Sequence, residues 1–388
     1  MRISLHYASS ASGDSDNTGS KHWDVPPDTE LDSPNTLALL FWDPDQDGIS
    51  SFLEGVDSLF PQSLVAGCST AGEIFDGELR EGGVSLALVR FDSSRIKAAS
   101  ALVAKGSDSY EAARAIAGEL QADDLKAVFV LSDGLSVNGS ELARGFNEIF
   151  GDAVVVTGGL AADGARFRHT WTLINGAPAE QQVVAVGLYG DSIEVRYGSK
   201  GGWDIFGPDR RVTRSQGNVL YELDGRPALE LYKQYLGDKA GELPAAGLLF
   251  PLALRDDKGR GERVVRTILA VDESEQSITF AGDIPLGSMT TLMRANFDRL
   301  ITGAAEAGEM AGLDTPAKGE ALSIAISCVG RRLVLGERTE EEIEASLDVL
   351  PPGTRQTGFY SYGELSPLTS GACDLHNQTM TLTLIYEI

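Results

Sequence analysis

Two side chains able to act as nucleophiles, Cys68 and Ser69, lie between glycines in the segment GCSTAGE at residues 67–73. The segment approximates the Gly-x-Ser-x-Gly turn of serine hydrolases, with Ala71 at its last position. Such a serine needs a histidine base, and none of the four histidines is followed by a recognisable acid partner. A Ser/Cys hydrolase is one interpretation. We favour the other, a loop that binds a ligand through Ser69, Thr70 and backbone N–H groups.

Two more glycine-rich loops, SDGLSVNG at 132–139 and GGLAADG at 158–164, also follow short apolar segments that are predicted to be buried strands. Ligands of open α/β sheets bind outside the carboxyl ends of the strands, so we expect the three loops to share one ligand-binding edge. The loops supply four polar candidates: Glu73, Asp133, Asn138 and Asp163.

An amino-acid-type ligand would match these candidates without a metal. The acidic side chains could pair with its ammonium group, and Arg331 in CVGRR could bind its carboxylate. The alternative for Arg331 is a salt bridge at the start of a helix. Three further candidates lie on the last strands, in stretches expected to face the same cleft: Glu364, His376 and Asn377.

The elements that must position these residues alternate between strand and helix from residue 36 to residue 157. This alternation predicts sheets with parallel strand pairs and helices packed on them. We predict an α/β and α+β fold, with two domains of mixed sheets flanked by helices. The first domain covers 1–217, with an irregular polar loop at 9–35, and the second covers 218–388.

The sequence also indicates three local features. The segments 183–190 and 193–199 are predicted to pair as a hairpin. One long helix is predicted from Ser288 to Met310. No internal repeat is evident in the sequence.

Composition narrows the function. The chain has 57 acidic and 32 basic residues in 388, a net charge of −25, which disfavours nucleic acids and anionic membrane surfaces as partners. Its three cysteines are few and widely spaced, which indicates a reducing compartment. Neither an export signal nor an apolar stretch of membrane-spanning length is evident, so we expect a cytoplasmic protein.

Several long motifs occur in the order and spacing of one known family. They are GCSTAGEI at 67–74, FVLSDGLSVNGSELARG at 129–145, GGLAADGARF at 158–167, VAVGLYGD at 184–191, LDGRPALELY at 223–232, FPLAL at 250–254, ISCVGRRLVLG at 326–336, GFYSYGEL at 358–365 and LHNQTMTLT at 375–383. With them the chain resembles the FIST N and FIST C domain family. The resemblance implies an intracellular sensory module that is not an enzyme and that binds a small-molecule ligand, with amino acids as a proposed class.

The resemblance also makes haem b a candidate cofactor, because one branch of the family binds haem, senses nitric oxide and signals through a histidine kinase. A histidine kinase or a cyclic-dinucleotide signalling enzyme is therefore the expected partner. In ARFRHTWTLING the alternation of Phe167, His169, Trp171 and Leu173 predicts one apolar strand face, with His169 as the axial ligand. The alternative for His169 is an ordinary core or edge histidine bonded to backbone. His376, Cys68 and Cys328 are the other candidate haem donors.

Overall fold

A computed structural model describes residues 1–10, 21–44, 49–176, 178–259, 261–313 and 320–388. The first elements are β1 (Arg2–Ser10), β2 (Lys21–Trp23), β3 (Thr36–Trp42), α1 (Ile49–Leu59), β4 (Leu64–Ser69), β5 (Glu73–Phe75), β6 (Glu78–Arg80) and β7 (Val84–Arg90). They are followed by β8 (Arg95–Leu102), α2 (Ser109–Leu120), β9 (Leu125–Ser132), α3 (Gly139–Phe150), β10 (Val155–Leu160), β11 (Thr172–Ile174), β12 (Gln182–Tyr189) and β13 (Ile193–Lys200).

The second half continues with β14 (Asp204–Gln216), β15 (Val219–Leu223), β16 (Arg226–Pro227), α4 (Ala228–Leu236), β17 (Leu252–Arg255), β18 (Val264–Arg266), β19 (Ile268–Asp272), β20 (Ser277–Phe280) and β21 (Met289–Arg294). It ends with α5 (Phe297–Gly312), β22 (Ala321–Cys328), α6 (Val329–Leu335), α7 (Thr339–Asp348), β23 (Thr354–Ser361), β24 (Gly363–Pro367), β25 (Cys373–His376) and β26 (Met380–Glu387). The predicted fold class is confirmed: mixed sheets carry helices on their faces.

Three of the four sheets follow one plan. The first sheet has the order β11-β4-β3-β7-β1-β2, the second β25-β24-β10-β9-β12-β8, and the third β13-β26-β22-β23-β5-β6. Each contains two parallel strands joined through helix: β3 and β4, β9 and β10, β22 and β23. In each, two antiparallel strands continue the sheet on one side. The structure therefore contains an internal threefold repeat, and the prediction of none was wrong.

The three sheets exchange strands in a cycle. After its second parallel strand, the chain leaves each sheet and adds an antiparallel strand to another one. Strand β5 follows β4 but pairs with β23, β11 follows β10 but pairs with β4, and β24 follows β23 but pairs with β10. Each sheet is therefore completed by a segment that belongs in sequence to another sheet.

The inner faces of the three sheets pack on one another, and their outer faces carry the helices. Phe41, Phe129 and Phe359 come from β3, β9 and β23 and meet in one buried cluster, with the rings of Phe41 and Phe359 4.8 Å apart. Helix α1 covers the first sheet, α2 and α3 the second, and α5 and α7 the third. Near-continuous apolar runs such as TLALLFW are the consequence, because both faces of these strands are buried.

Residues 204–294, which we call the inserted unit, form a fourth sheet between β13 and α5. Its strand order is β18-β17-β21-β14-β15-β20-β19, with β16 paired to β15. Helix α4 and 3-10 turns at Gly237–Glu242 and Ala245–Leu249 complete it around a separate apolar core. The predicted boundary at residue 217 lies just before β15, inside this unit, and stays a prediction.

Three local predictions were wrong. Part of the predicted irregular loop at 9–35 is ordered: β2 pairs with β1, and a 3-10 turn spans Thr29–Leu31, while 11–20 lies outside the described residues. Residues 288–310 are not one helix, because β21 pairs with β14 and β17 and α5 begins only after the cap Asn296. Strands β12 and β13 are consecutive but do not pair, since they belong to different sheets.

Candidate functional site

The glycine-rich loops predicted to share an edge do meet. The N–H of Ala162 donates to the Ser69 carbonyl at 3.0 Å, and the N–H of Ala161 donates to the Ser132 carbonyl at 2.8 Å. A fourth segment joins them, because the N–H of Ala71 donates to the Tyr360 carbonyl at 2.9 Å. Sequence reasoning therefore found the right edge of the sheets, although it did not assign residues 358–364 to it as a loop.

The first of these turns, GCSTAGE, is closed by its own hydrogen bonds. The Thr70 hydroxyl donates to Glu73 Oε1 at 2.6 Å, and the Tyr7 hydroxyl donates to Glu73 Oε2 at 3.3 Å. Burial raises the pKa of Glu73 to about 8. Ser69 is fully buried and its Oγ accepts the Trp171 N–H at 3.0 Å, while burial raises the pKa of the Cys68 thiol well above its ordinary value. Neither nucleophile is presented to a substrate, which weakens the hydrolase interpretation.

Asp133 and Asp163 shape the next two loops. Asp133 accepts the backbone N–H groups of Leu135 at 2.9 Å and Ser136 at 2.6 Å. Asp163 accepts those of three successive residues, 167, 168 and 169, at 2.8–3.0 Å, and also the Tyr362 hydroxyl. Burial works to raise the pKa of Asp163, but these hydrogen bonds outweigh it and leave that pKa lowered. Both carboxylates are used inside the protein, so their pairing with an ammonium ligand stays a prediction without geometric support.

Asn138 and Arg331 also have structural partners. Asn138 caps α3 by accepting the N–H of Ser140 at 3.0 Å, and its amide donates to Asp283 of the inserted unit at 3.2 Å. Arg331 is fully buried and pairs with Glu342, also fully buried, at 2.6 Å. The alternative of a helix salt bridge is therefore what the structure shows for Arg331. The expected role of Arg331, binding a ligand carboxylate, has no structural support, because its guanidinium group is already paired with Glu342.

The last three polar candidates are Glu364, at the end of segment 358–364, and His376 and Asn377, at and just after the end of β25, which pairs with β24. Glu364 Oε1 accepts the Ser361 hydroxyl at 2.7 Å and its Oε2 accepts the Thr379 hydroxyl at 2.9 Å, and burial raises its pKa to about 8. His376 Nε2 lies 3.1 Å from the Ser366 carbonyl, and burial lowers the pKa of this histidine. Asn377 is fully buried, and its amide has no protein partner within the described part of the chain.

The position predicted for His169 was wrong. Residues 167–171 are not a strand, because β11 contains only Thr172–Ile174. The His169 side chain is 58% exposed, its Nδ1 lies 2.9 Å from Glu180, and its ring stacks on Trp171. It does not lie among buried apolar side chains. The Phe167 ring instead stacks on the Tyr362 ring, with the two ring centroids 4.5 Å apart.

A cavity of about 430 Å³ lies where the inserted unit covers the carboxyl ends of β9, β10 and β22. The three-sheet part contributes Gly134, Leu135, Val137, Leu160, Phe167, Cys328, Val329, Gly330, Leu333 and Tyr362. The inserted unit contributes Glu242, Leu243, Pro244, Ala245, Leu248, Thr267, Ile268, Leu269 and Ala281. We call this space the inter-unit cavity. A volume of this size and a largely apolar wall are typical of small-molecule sites.

None of the side chains predicted to bind a ligand is among the described residues that line this cavity, although several lie one residue away from lining positions. Asp133 precedes Gly134, and Asp163 holds Tyr362 in place. Asn138 lines an adjoining open groove of about 420 Å³. Sequence reasoning missed Thr267 and the apolar wall of the inserted unit, because scattered apolar residues give no motif.

Haem b does not fit the described lining of the cavity. An axial ligand is needed, and no histidine is among those lining residues. Burial raises the pKa of the Cys328 thiol to about 12, which keeps it protonated, and the Tyr362 hydroxyl already donates to Asp163 and to the Gly164 carbonyl. In the described ranges no three His, Cys, Asp or Glu side chains come together to hold a metal ion.

Comparison with known proteins gives two adjoining matches. The FIST N domain profile matches residues 36–226, and the FIST C domain profile matches residues 228–367. Uncharacterized protein MJ1623 of Methanocaldococcus jannaschii is 24% identical over 393 residues, which cover 89% of this chain and 72% of that relative. Among the described helices, none is long and apolar enough to cross a membrane. The chain belongs to the FIST family, whose domains are sensory modules of signal transduction.

Proposed function

We propose that this protein is a non-enzymatic sensor whose input is a small molecule bound in the inter-unit cavity. One observation carries the proposal: the cavity has one wall from the loops at the carboxyl ends of the strands and the other from the inserted unit. The first wall lies where α/β folds bind ligands, and the second closes it.

The two walls belong to two bodies that polar contacts connect at several points. Arg266 of β18 is buried and donates to the Leu375 carbonyl of β25 at 2.7 Å. Asn138 and Asp283 form a second contact at 3.2 Å. A ligand that touches both walls binds best when they are apposed, so its binding favours that arrangement over more open ones. The conformational preference between the two bodies is then the signal.

We further propose that this signal passes to a partner protein, a histidine kinase or a cyclic-dinucleotide signalling enzyme. Family membership supports this expectation, since FIST domains are sensory modules. Cross-linking and mass spectrometry in the source cell test it. A partner from neither enzyme class would overturn it.

Ala245→Trp tests the cavity as the ligand site, with the neutral fluorescent dye Nile red as the probe. Ala245 lines the cavity from the inserted unit, so an indole there takes up much of its volume. We expect the Kd for Nile red to rise at least tenfold. Ala270→Trp is the matched control, because Ala270 is exposed on β19 next to the lining residue Leu269 but is not itself a lining residue.

The control should bind Nile red within twofold of the unmodified protein. Ligand binding should also raise the midpoint of thermal unfolding in the unmodified protein and in Ala270→Trp, but not in Ala245→Trp. Equal dye affinity in Ala245→Trp and the unmodified protein would overturn the proposed site.

A further inference from the structure

We infer that the ligand of the inter-unit cavity is an uncharged molecule with an apolar body and one hydrogen-bonding group, which the hydroxyl of Thr267 recognises. This inference rests on the proposed function. It goes beyond it by naming the chemical class of the ligand and the residue that selects it. It also differs from the expectation of an amino acid drawn from the sequence.

The wall of the cavity argues for an uncharged ligand. Among the described lining residues there is no Lys or Arg, and the charged one, Glu242, is exposed to solvent. The carboxyl groups just behind the wall are already used: Asp163 by backbone N–H groups and Tyr362, Glu364 by Ser361 and Thr379. Moving an ionised group from water into such surroundings without a partner is costly. An anion, or the carboxylate of a zwitterion, would find no positively charged partner among these lining residues.

Thr267 supplies a specific polar contact. It lines the cavity between β18 and β19, is 6% exposed, and its buried Oγ1 has no hydrogen-bond partner among the described residues. Its own carbonyl accepts the Ala281 N–H at 2.9 Å, so the backbone holds the side chain in place. A buried hydroxyl without a partner has lost its hydrogen bonds to water and gained none in return, which is unfavourable. A ligand hydroxyl, carbonyl or amide would remove that cost.

The other polar side chains of the wall cannot replace it. The Tyr362 hydroxyl donates to Asp163 and lies 3.0 Å from the Gly164 carbonyl, so its proton is committed. Cys328 carries a protonated thiol, which is a weak donor. Within the described lining, Thr267 is therefore the neutral group best able to orient a ligand.

The volume sets the size of the part of a ligand that the cavity encloses. At roughly 30 Å³ per water molecule, a cavity of about 430 Å³ corresponds to on the order of 15 non-hydrogen atoms. Two fused aromatic rings with one substituent come close to this and remain soluble enough to titrate. We therefore choose naphthalene, 1-naphthol and 1-naphthoate as probes, which share a body and differ in the polar group.

Calorimetric titration of these probes into the unmodified protein, Thr267→Val and Thr267→Ser tests the inference. In the unmodified protein 1-naphthol should bind tighter than naphthalene, and 1-naphthoate and free phenylalanine at least tenfold more weakly than 1-naphthol. Valine keeps the shape of threonine without its hydroxyl, so Thr267→Val should weaken 1-naphthol five- to tenfold and leave naphthalene within twofold. Thr267→Ser keeps the hydroxyl and should stay within about twofold for 1-naphthol.

The outcomes separate this inference from the proposed function. Equal losses for naphthalene and 1-naphthol in Thr267→Val would mean that Thr267 only packs, and tightest binding of 1-naphthoate or phenylalanine would mean a charged ligand. Either result overturns the inference while the cavity stands, provided that Ala245→Trp blocks the same probes. Binding of no probe, or binding that Ala245→Trp leaves unchanged, overturns the proposed function itself. If Thr267→Val does not fold, Thr267→Ala replaces it, with the same expected contrast between probes.

Discussion

The first and third turns of the internal repeat are built alike but face different surroundings. Both read Gly-x-x-[Ser/Thr]-x-Gly-Glu: Gly67, Thr70 and Glu73 in one, Gly358, Ser361 and Glu364 in the other. In both, the hydroxyl donates to the buried carboxyl, at 2.6 and 2.7 Å, and burial raises the pKa of that carboxyl to about 8. A feature present twice, once among residues that do not line the cavity, is best explained as architecture.

The difference between the turns lies at the residue between the hydroxyl and the second glycine. In the first turn it is Ala71, whose carbonyl accepts a hydrogen bond from the Arg332 guanidinium group. In the third it is Tyr362, which lines the inter-unit cavity and stacks on Phe167. The comparison indicates that the shared acids hold the turns, whereas Tyr362, the residue that differs, faces the proposed ligand site.

The largest expected effect separates the two arginines beside these turns. Arg331→Met leaves Glu342 buried without its cation, so the free energy of unfolding should fall by about 4 kcal/mol. Arg332→Met breaks a partly exposed pair with Glu81 and should lose about 1 kcal/mol. Urea unfolding followed by circular dichroism measures both. Losses of equal size would show that the two arginines stabilise the turns equally. This result would contradict the difference between the turns described above.

A smaller effect is expected at the glycine that starts each turn. In Gly67→Ala the new Cβ would lie 2.2 Å from the Leu40 carbonyl oxygen, and in Gly358→Ala 1.7 Å from that of Ala325. Each should lower the free energy of unfolding by about 3 kcal/mol, because a backbone must move. Gly55→Ala is the control: it lies in α1 with open space around it and should gain roughly 0.5–1 kcal/mol. A mild effect at just one of the two turns would break their equivalence.

The smallest effect is the pH dependence of the two acids. Their pKa values of about 8 in the folded protein lie above the ordinary 4.5, so each contributes most to stability below pH 4.5 and loses that contribution as pH rises to about 8. Glutamine imitates the protonated acid. The free energy of unfolding should therefore fall less steeply with rising pH in Glu73→Gln and in Glu364→Gln. Between pH 5 and pH 7, each substitution should make this slope smaller by about 1 kcal/mol per pH unit.

Urea unfolding at pH 5, 6 and 7 measures these slopes. Equal changes in the two variants would support a common structural role. A slope that changes in one variant alone, together with a changed affinity for 1-naphthol, would assign that acid to the ligand site instead.

Local pattern was enough to predict the strands and the loops that gather at their carboxyl ends. The apolar run before GCSTAGE and those before the loops at 132–139 and 158–164 are short but unbroken, because both faces of these strands are buried. Burial of Arg331 could not be predicted, since its partner Glu342 becomes a neighbour only through α7. The repeat had one visible signal, the motif shared by 67–73 and 358–364. The middle copy at 158–164 obscures it, because Ala161, Asp163 and Gly164 stand where the other copies have a hydroxyl residue, glycine and glutamate.

The cyclic exchange of strands also determines how the FIST N and FIST C matches are connected in the fold. The FIST N match contains β5, which in the described ranges pairs with β6 and with β23 of the FIST C match. The FIST C match contains β24, which pairs with β10 of the FIST N match. A cut between residues 226 and 228 would leave each half with a sheet that lacks the strands at one of its edges. The two matches are thus names for stretches of sequence that fold as one interlocked body. A conformational change in one stretch therefore also affects the other.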